Sequence, residues 1–143
     1  MAYDRMDWHY GGNFPSDLPS EAGGTHIGMF LAWAIIRGLE GEVHRTDAAA
    51  AVEAVRNRTM TGREFLMEQC DEKFWEDDLN DEGNAFAKFY YEGEGPKSYL
   101  ADYERALGRN LPTLYHIQDN WTNFDALAPV IDRRFAEWRR TRM

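Results

Sequence analysis

The chain has 143 residues, a length typical of one domain that buries its core without disulfides or a structural metal. Its apolar fraction of 43% and aromatic fraction of 14% exclude a disordered chain, although the net charge is −9. The single cysteine, Cys70, excludes an intramolecular disulfide, and we find no signal-peptide pattern and no apolar run of membrane length. We therefore expect one cytoplasmic domain over residues 1–143, without a membrane span.

The charge is unevenly distributed. Residues 133–143 contain five arginines and Glu137 and have a net charge of +4. Since the whole chain has a net charge of −9, the other residues together have a net charge of −13. We interpret the arginines as the end of a helix, where positive side chains complement the helix dipole; a basic binding patch is the alternative. The acidic remainder would repel phosphates, so we expect a basic protein partner and no nucleic acid.

The first part of the chain, residues 1–24, shows neither a helical nor an alternating pattern. It contains glycines, prolines and large aromatic residues, which generally pack against a protein body, so the sequence predicts an irregular aromatic arm. Residues 25–37 are apolar nearly all round, which predicts a central helix over about residues 25–38. Gly38 and Gly41 provide its end.

The remaining helices are predicted from capping residues and from apolar residues three or four positions apart. In chain order they cover about residues 46–58, 61–69, 80–92, 99–107 and 120–140, with a charged connection over 71–81 and a loop or very short strand over 110–119. Thr61 and Glu64 have the spacing of a capping box. Pro129 marks either a kink or the true first turn of the last helix. The expected fold class is all-α: a single compact bundle of five to six helices around the central one.

Histidines are the candidate metal ligands, and none of the four has a partner three or four positions away, so a metal site would have to combine distant segments. His26, in the first turn of the central helix, is the best candidate ligand or base. His9 and His116 are its candidate neighbours, with Asp7 or Glu21 as the acid. The alternative is a histidine that only forms hydrogen bonds within the core.

The other motifs of the chain give weaker indications of a binding or catalytic site. Residues 78–84 place oxygen donors and a glycine as in a calcium loop, but Phe89 stands where the bidentate glutamate belongs, which excludes an EF-hand. The paired carboxylates are interpreted as solvated acidic surface. Cys70 lies beside Leu66 and Met67 in a helical pattern, which is more typical of a core residue than of a reactive one. Since no nucleophile or phosphate-binding motif is found, we expect no cofactor and favour a protein that is not an enzyme.

Several stretches form a recognisable pattern: Tyr3-Asp4, Trp8-His9-Tyr10-Gly11-Gly12, Phe14-Pro15, Asp17-Leu18-Pro19, Glu21-Ala22, residues 25–33, Leu79-Asn80, residues 82–87, Tyr90-Tyr91, residues 111–115 and Arg134-Phe135. Together they resemble a family of small bacterial proteins of unknown function. The resemblance covers most of the chain and implies no activity and no catalytic residue. Small acidic, aromatic-rich bacterial domains are also similar in character to immunity proteins, which neutralise the toxins of competing cells.

These observations favour a protein-binding module, of immunity type or with another basic partner, because the acidic body lacks a reactive constellation. The candidate contact residues are Glu76, Asp77, Asp78, Asp81 and Glu82, with Trp75 and Trp8 as aromatic anchors. One alternative is an enzyme or metal-binding protein with a histidine and acid site between the arm and the start of the central helix. Another is a structural homo-oligomer.

Overall fold

The computed structural model describes residues 2–10, 12 and 14–142. The described residues contain seven α-helices: α1 (Thr25–Ile36), α2 (Glu42–Asp47), α3 (Ala49–Arg56), α4 (Gly62–Gln69), α5 (Asp81–Tyr90), α6 (Tyr99–Leu107) and α7 (Trp121–Thr141). Two short strands, β1 (Ala2–Arg5) and β2 (Lys73–Trp75), pair antiparallel. Short 3-10 turns lie at Met6–Trp8, Ser20–Gly24, Glu76–Asp78 and Leu114–His116.

Helix α1 is the central element, and all of its residues except Ile36 are buried. It packs against α4 at Gly28 and Gly62. A Cβ atom added to Gly62 would lie 1.8 Å from the carbonyl oxygen of Gly28, and one added to Gly28 would lie 2.3 Å from the backbone nitrogen of Arg63. Because any side chain would separate the two backbones, only glycine permits this contact. The apolar helix predicted over about residues 25–38 is confirmed, and it covers Thr25–Ile36.

An aromatic layer joins α1 to the C-terminal helices. The ring of Phe86 in α5 lies 5.5 Å from that of Trp33 in α1, and 5.0 and 5.3 Å from those of Phe135 and Trp138 in α7. The indole nitrogen of Trp33 donates to Asp132 Oδ1 at 2.8 Å, so the buried polar atom of this large side chain has an acceptor. These contacts fix α5 and α7 against the central helix.

The structure is mainly helical, as predicted, but the all-α prediction misses the small sheet. Strand β1 falls in the arm that was predicted to be irregular, and β2 falls in the predicted charged connection. Both strands are too short to show an alternating pattern, and their pairing joins segments about seventy residues apart. The bundle was also expected to have five to six helices. Helix α3 corresponds to the helix predicted over residues 46–58, whereas α2 begins at Glu42, before that range, and is not predicted. The two helices are separated at Ala48, where φ is −131° and ψ is 31°.

Helix α7 begins at its N-cap Asn120, whose side chain accepts a hydrogen bond from the Asn123 backbone at 2.8 Å. It runs through Pro129, so Pro129 is not in its first turn; a helix can continue through a proline at the cost of one backbone hydrogen bond. Two of the C-terminal arginines pair within the domain, Arg134 with Asp102 and Arg139 with Glu82. No helix among the described residues combines the length and apolarity that a membrane crossing requires.

Candidate functional site

Three titratable side chains from separate segments meet where the arm contacts the start of α1. We call Asp4, His9 and His26 the histidine–aspartate cluster. Asp4 Oδ1 lies 2.8 Å from His9 Nε2, and Asp4 Oδ2 lies 3.1 Å from His26 Nε2. The two imidazole rings are nearly perpendicular, with their centroids 4.6 Å apart. Asp4 and His26 are buried, whereas 19% of the His9 side chain is exposed. The structure thus joins two of the predicted histidines at the predicted junction.

Local structure brings each member into place. Asp4 lies in β1 and is held opposite Phe74 of β2 by the strand pairing. After β1 the chain enters the 3-10 turn Met6–Trp8, whose first backbone nitrogen donates to the carbonyl of Glu72 at 3.0 Å. This turn directs His9 back towards Asp4. His26 is the second residue of α1, so the central helix fixes its backbone.

A tyrosine hydroxyl contacts each member of the cluster. The hydroxyl of Tyr91 donates to Asp4 Oδ2 at 2.7 Å, and that of Tyr99 donates to the backbone carbonyl of His26 at 2.5 Å. The hydroxyl of Tyr115 lies 2.7 Å from His9 Nδ1. Outer partners of this kind fix the orientation of ligating or catalytic side chains. The cluster is therefore pre-organised by the C-cap residue of α5, by α6 and by the turn Leu114–His116.

The surroundings set the charges of the cluster. Burial raises the pKa of Asp4, but hydrogen bonds from His26, His9 and Tyr91 outweigh this effect and hold the pKa well below its usual range. Burial lowers the pKa of His26, and the hydrogen bond to Asp4 only partly opposes this shift. At neutral pH the cluster therefore contains an ionised carboxylate and a neutral His26, which are the protonation states that metal ligands require.

The cluster forms one side of a cavity of about 240 Å³. The other lining residues are mainly aromatic: Tyr3, Tyr91, Tyr99, Leu100, Leu114 and Tyr115. An apolar cavity with a few convergent polar groups is the usual form of a small-molecule site. Chemically, this arrangement can hold a metal ion with open positions towards the cavity.

The other residues predicted for this site lie elsewhere. His116 places Nε2 2.9 Å from Asp17 Oδ2 and Nδ1 2.9 Å from the hydroxyl of Thr113, so both of its nitrogens are engaged outside the cluster. Asp7 is exposed and pairs with Arg5 at 2.8 Å. Glu21 is also exposed and lies 3.8 Å from Arg63. The sequence therefore predicts the histidine pair but the wrong acid, because only the pairing of β1 with β2 brings Asp4 to the site.

The residues predicted to contact a protein partner are divided between surface and interior. Trp75 and Trp8 are 41% and 58% exposed, and Asp77 and Asp81 are also exposed. Asp78 is a correction, since it is buried with its Oδ1 2.8 Å from His44 Nε2.

Two further acids of that predicted surface pair with cations of the same chain. Glu76 lies 3.3 Å from Lys88, and Glu82 lies 2.9 Å from Arg139. These pairs reduce the negative charge that the surface would present to a basic partner.

Comparison with known proteins gives one finding. The model of a family described as a domain of unknown function (DUF7832) matches residues 2–117. The matched part contains the histidine–aspartate cluster and its tyrosines, whereas α7 lies outside it. No curated protein and no solved structure matches the chain.

Proposed function

The chain belongs to the DUF7832 family, and we propose that it binds a divalent transition-metal ion through Asp4, His9 and His26. The observation that carries the proposal is the convergence of one ligand atom from each residue, all within 4.8 Å of one another. A metal ion bonded at about 2 Å to nitrogen and oxygen requires ligand atoms about 3 to 4 Å apart. Imidazoles combined with a carboxylate favour zinc or iron over magnesium or calcium.

The contacts around the cluster support this role. Tyr115 contacts Nδ1 of His9, which leaves Nε2 directed at the ion position. Tyr91 contacts Oδ2 of Asp4, which leaves Oδ1 as the ligand atom nearest to His9. In the metal-free protein the Nε2 atom of each histidine lies within hydrogen-bond distance of Asp4. A metal ion would take the place of these contacts, with each neutral imidazole carrying its proton on Nδ1. Three protein ligands leave coordination positions for water or a small molecule in the tyrosine-lined cavity.

Calorimetric titration of the metal-free full chain with Zn²⁺ and, under anaerobic conditions, Fe²⁺ tests this proposal. The variant His9→Gln removes a ligand that is partly exposed, and it should weaken binding at this site by about tenfold or more. The matched control is His116→Gln, which removes a histidine that also lies 2.9 Å from an aspartate but outside the cluster. Equal affinity and stoichiometry in the wild type and His9→Gln would contradict the proposal.

A second proposal keeps the protein-partner hypothesis, including an immunity-type role against a basic toxin. It is supported by the exposed rings of Trp75 and Trp8 and by the negative net charge of the chain. Tryptophans are enriched among the residues that dominate interface energy. Binding of Trp75→Ala to a basic toxin encoded by a neighbouring gene should be much weaker than that of the wild type. Phe89→Ala, which alters another exposed aromatic residue, is the control.

Light scattering on the protein alone tests the homo-oligomer hypothesis.

A further inference from the structure

A second group of metal-ligating side chains lies away from the histidine–aspartate cluster and shares no residue with it. We call His44, Cys70 and Asp78 the cysteine cluster. His44 lies in α2, Cys70 is the C-cap residue of α4, and Asp78 ends the turn Glu76–Asp78. His44 Nε2 is 2.8 Å from Asp78 Oδ1 and 3.8 Å from Cys70 Sγ. One ligand atom from each of the three lies within 4.8 Å of the others.

The surrounding structure orients these side chains. The backbone nitrogen of Gly41, at the start of α2, donates to the carbonyl of Asp78 at 2.9 Å. This approach requires glycine, since a Cβ atom there would lie 2.1 Å from the carbonyl oxygen of Asp77. Asp78 Oδ2 accepts from the backbone nitrogen of Trp75 at 2.6 Å, which leaves Oδ1 for the cluster.

The geometry excludes a cysteine nucleophile activated by a histidine and an acid. In such a triad the nucleophile and the acid contact opposite nitrogens of the imidazole, so that the ring can pass a proton between them. Here Cys70 and Asp78 both approach Nε2 of His44. The three atoms therefore surround one point instead of forming a relay.

We propose that His44, Cys70 and Asp78 bind a divalent metal ion of the zinc type. Thiolate, imidazole and carboxylate are the three kinds of side chain that zinc takes in proteins, and the thiolate selects against magnesium and calcium. With bonds of about 2.3 Å to sulfur and about 2.0 Å to nitrogen, tetrahedral zinc places these atoms about 3.5 Å apart. The observed separation of 3.8 Å between Cys70 Sγ and His44 Nε2 needs only a small adjustment.

The cysteine cluster lies where a bound ion would keep an open coordination position. It lies at an open cleft of about 390 Å³, which Asp47, Asp71 and Asp77 also line. Asp71 pairs with Lys73 at 3.5 Å, whereas among the described residues no lysine or arginine forms an ion pair with Asp47, Asp77 or Asp78. The cleft is therefore negatively charged and attracts cations, and three protein ligands leave a fourth position towards it for water or a small molecule.

Cobalt(II) titration of the full chain under a phosphine reductant tests the proposal, because a cobalt–thiolate bond produces a charge-transfer band in the near ultraviolet. The wild type should show this band with an intensity that corresponds to one cobalt ion at the cysteine cluster, whether or not a second ion binds at the histidine–aspartate cluster, and Cys70→Ser should lose it. In competition with Zn²⁺ for a chromophoric chelator, Cys70→Ser and His44→Gln should each lose affinity for this site by about tenfold or more. The control His116→Gln should keep both the band and the affinity.

Two results would overturn the proposal. One is cobalt binding by the wild type without the thiolate band. The other is unchanged cobalt and zinc affinity in a folded Cys70→Ser or His44→Gln variant, with folding checked by circular dichroism. This proposal is independent of the histidine–aspartate cluster. If His9→Gln proves to have no effect on metal binding, only the first proposal fails, and the thiolate band still decides the second.

Discussion

Two buried carboxylates, Asp4 and Asp102, each accept a hydrogen bond from a tyrosine hydroxyl but differ in the kind of their other partners. Tyr90 and Tyr91 are consecutive residues at the end of α5, and each donates a hydrogen bond of 2.7 Å to a different aspartate, Tyr90 to Asp102 and Tyr91 to Asp4. The remaining side-chain partners of Asp102 are arginines, with Arg134 Nε at 2.8 Å and Arg105 Nη2 at 2.6 Å. The remaining side-chain partners of Asp4 are histidines.

Because of this difference, Asp102 is a structural tie, by which we mean a buried residue that only joins two helices, whereas Asp4 belongs to a candidate site. Burial raises the pKa of Asp102, but hydrogen bonds from Arg134, Tyr90 and Arg105 lower it below its usual value. An arginine stays charged at every accessible pH and has no lone pair to offer, so the partners of Asp102 join α6 to α7 and cannot ligate a metal ion with it. A histidine can release its proton and ligate a metal. The partners of a buried carboxylate, and not its burial, therefore indicate whether it can take part in binding a metal ion.

The largest expected effect is the loss of the structural tie. In Asp102→Ala, Arg134 and Tyr90 lose a buried acceptor, and breaking such a pair costs about 3 to 5 kcal/mol of unfolding free energy. Urea unfolding followed by circular dichroism measures this loss, and the zinc affinity of the folded fraction should not change. The control is Asp125→Asn, which breaks the exposed pair with Arg58 and should leave stability unchanged within error. A loss no greater than that of the control would show that Asp102 is not a structural tie.

An intermediate effect is expected from the two tyrosines, which form a matched pair. Tyr90→Phe and Tyr91→Phe each remove one hydrogen bond to a charged acceptor, so each should cost about 2 kcal/mol of unfolding free energy. Only Tyr91→Phe should also weaken metal binding at the histidine–aspartate cluster, by about tenfold, because Tyr91 orients a ligand. If both variants change the metal affinity, or if neither does, Asp4 and Asp102 do not differ in metal binding as their partners indicate.

The smallest expected effect is a pH dependence of stability that arises from His26, a partner of Asp4. Because burial lowers the pKa of His26 in the folded protein, the unfolded chain binds a proton as the pH falls below about 6.5 while the folded protein does not. Stability should therefore decrease with acid in this range, by at most about 1.4 kcal/mol per pH unit. The unfolding free energy of metal-free His26→Gln should vary less with pH between 7.5 and 5 than that of the wild type. Parallel curves would contradict the assignment.

Local signals predict much of the helical structure. The capping box of Thr61 and Glu64 is confirmed, and Asn80 and Asn120 cap α5 and α7 with their side chains. These features depend on residues three or four positions apart, which a sequence displays directly. The break at Ala48 and the pairing of β1 with β2 depend on packing between distant segments, and no local pattern indicates them.

The same distinction applies to the sites. His9 and His26 are predicted because both flank the start of the central helix. Asp4 is not, since its place depends on a strand of four residues whose partner lies far along the chain. Cys70 is predicted as a core residue and is in fact half-buried, and its contact with His44 follows from the positions of α2 and α4. Side chains that meet only through tertiary packing leave no spacing to detect.

The contact between Gly28 and Gly62 has a consequence for how this domain can evolve. Gly28 follows His26 by two residues in α1, and Gly62 begins α4, which Cys70 ends. One backbone contact thus sets the separation of the helices that carry a member of each cluster. A mutation that moved these helices apart would displace ligands of both clusters together. A substitution that adjusts one site without the other therefore has to change the side chains around that site and leave the glycine pair in place.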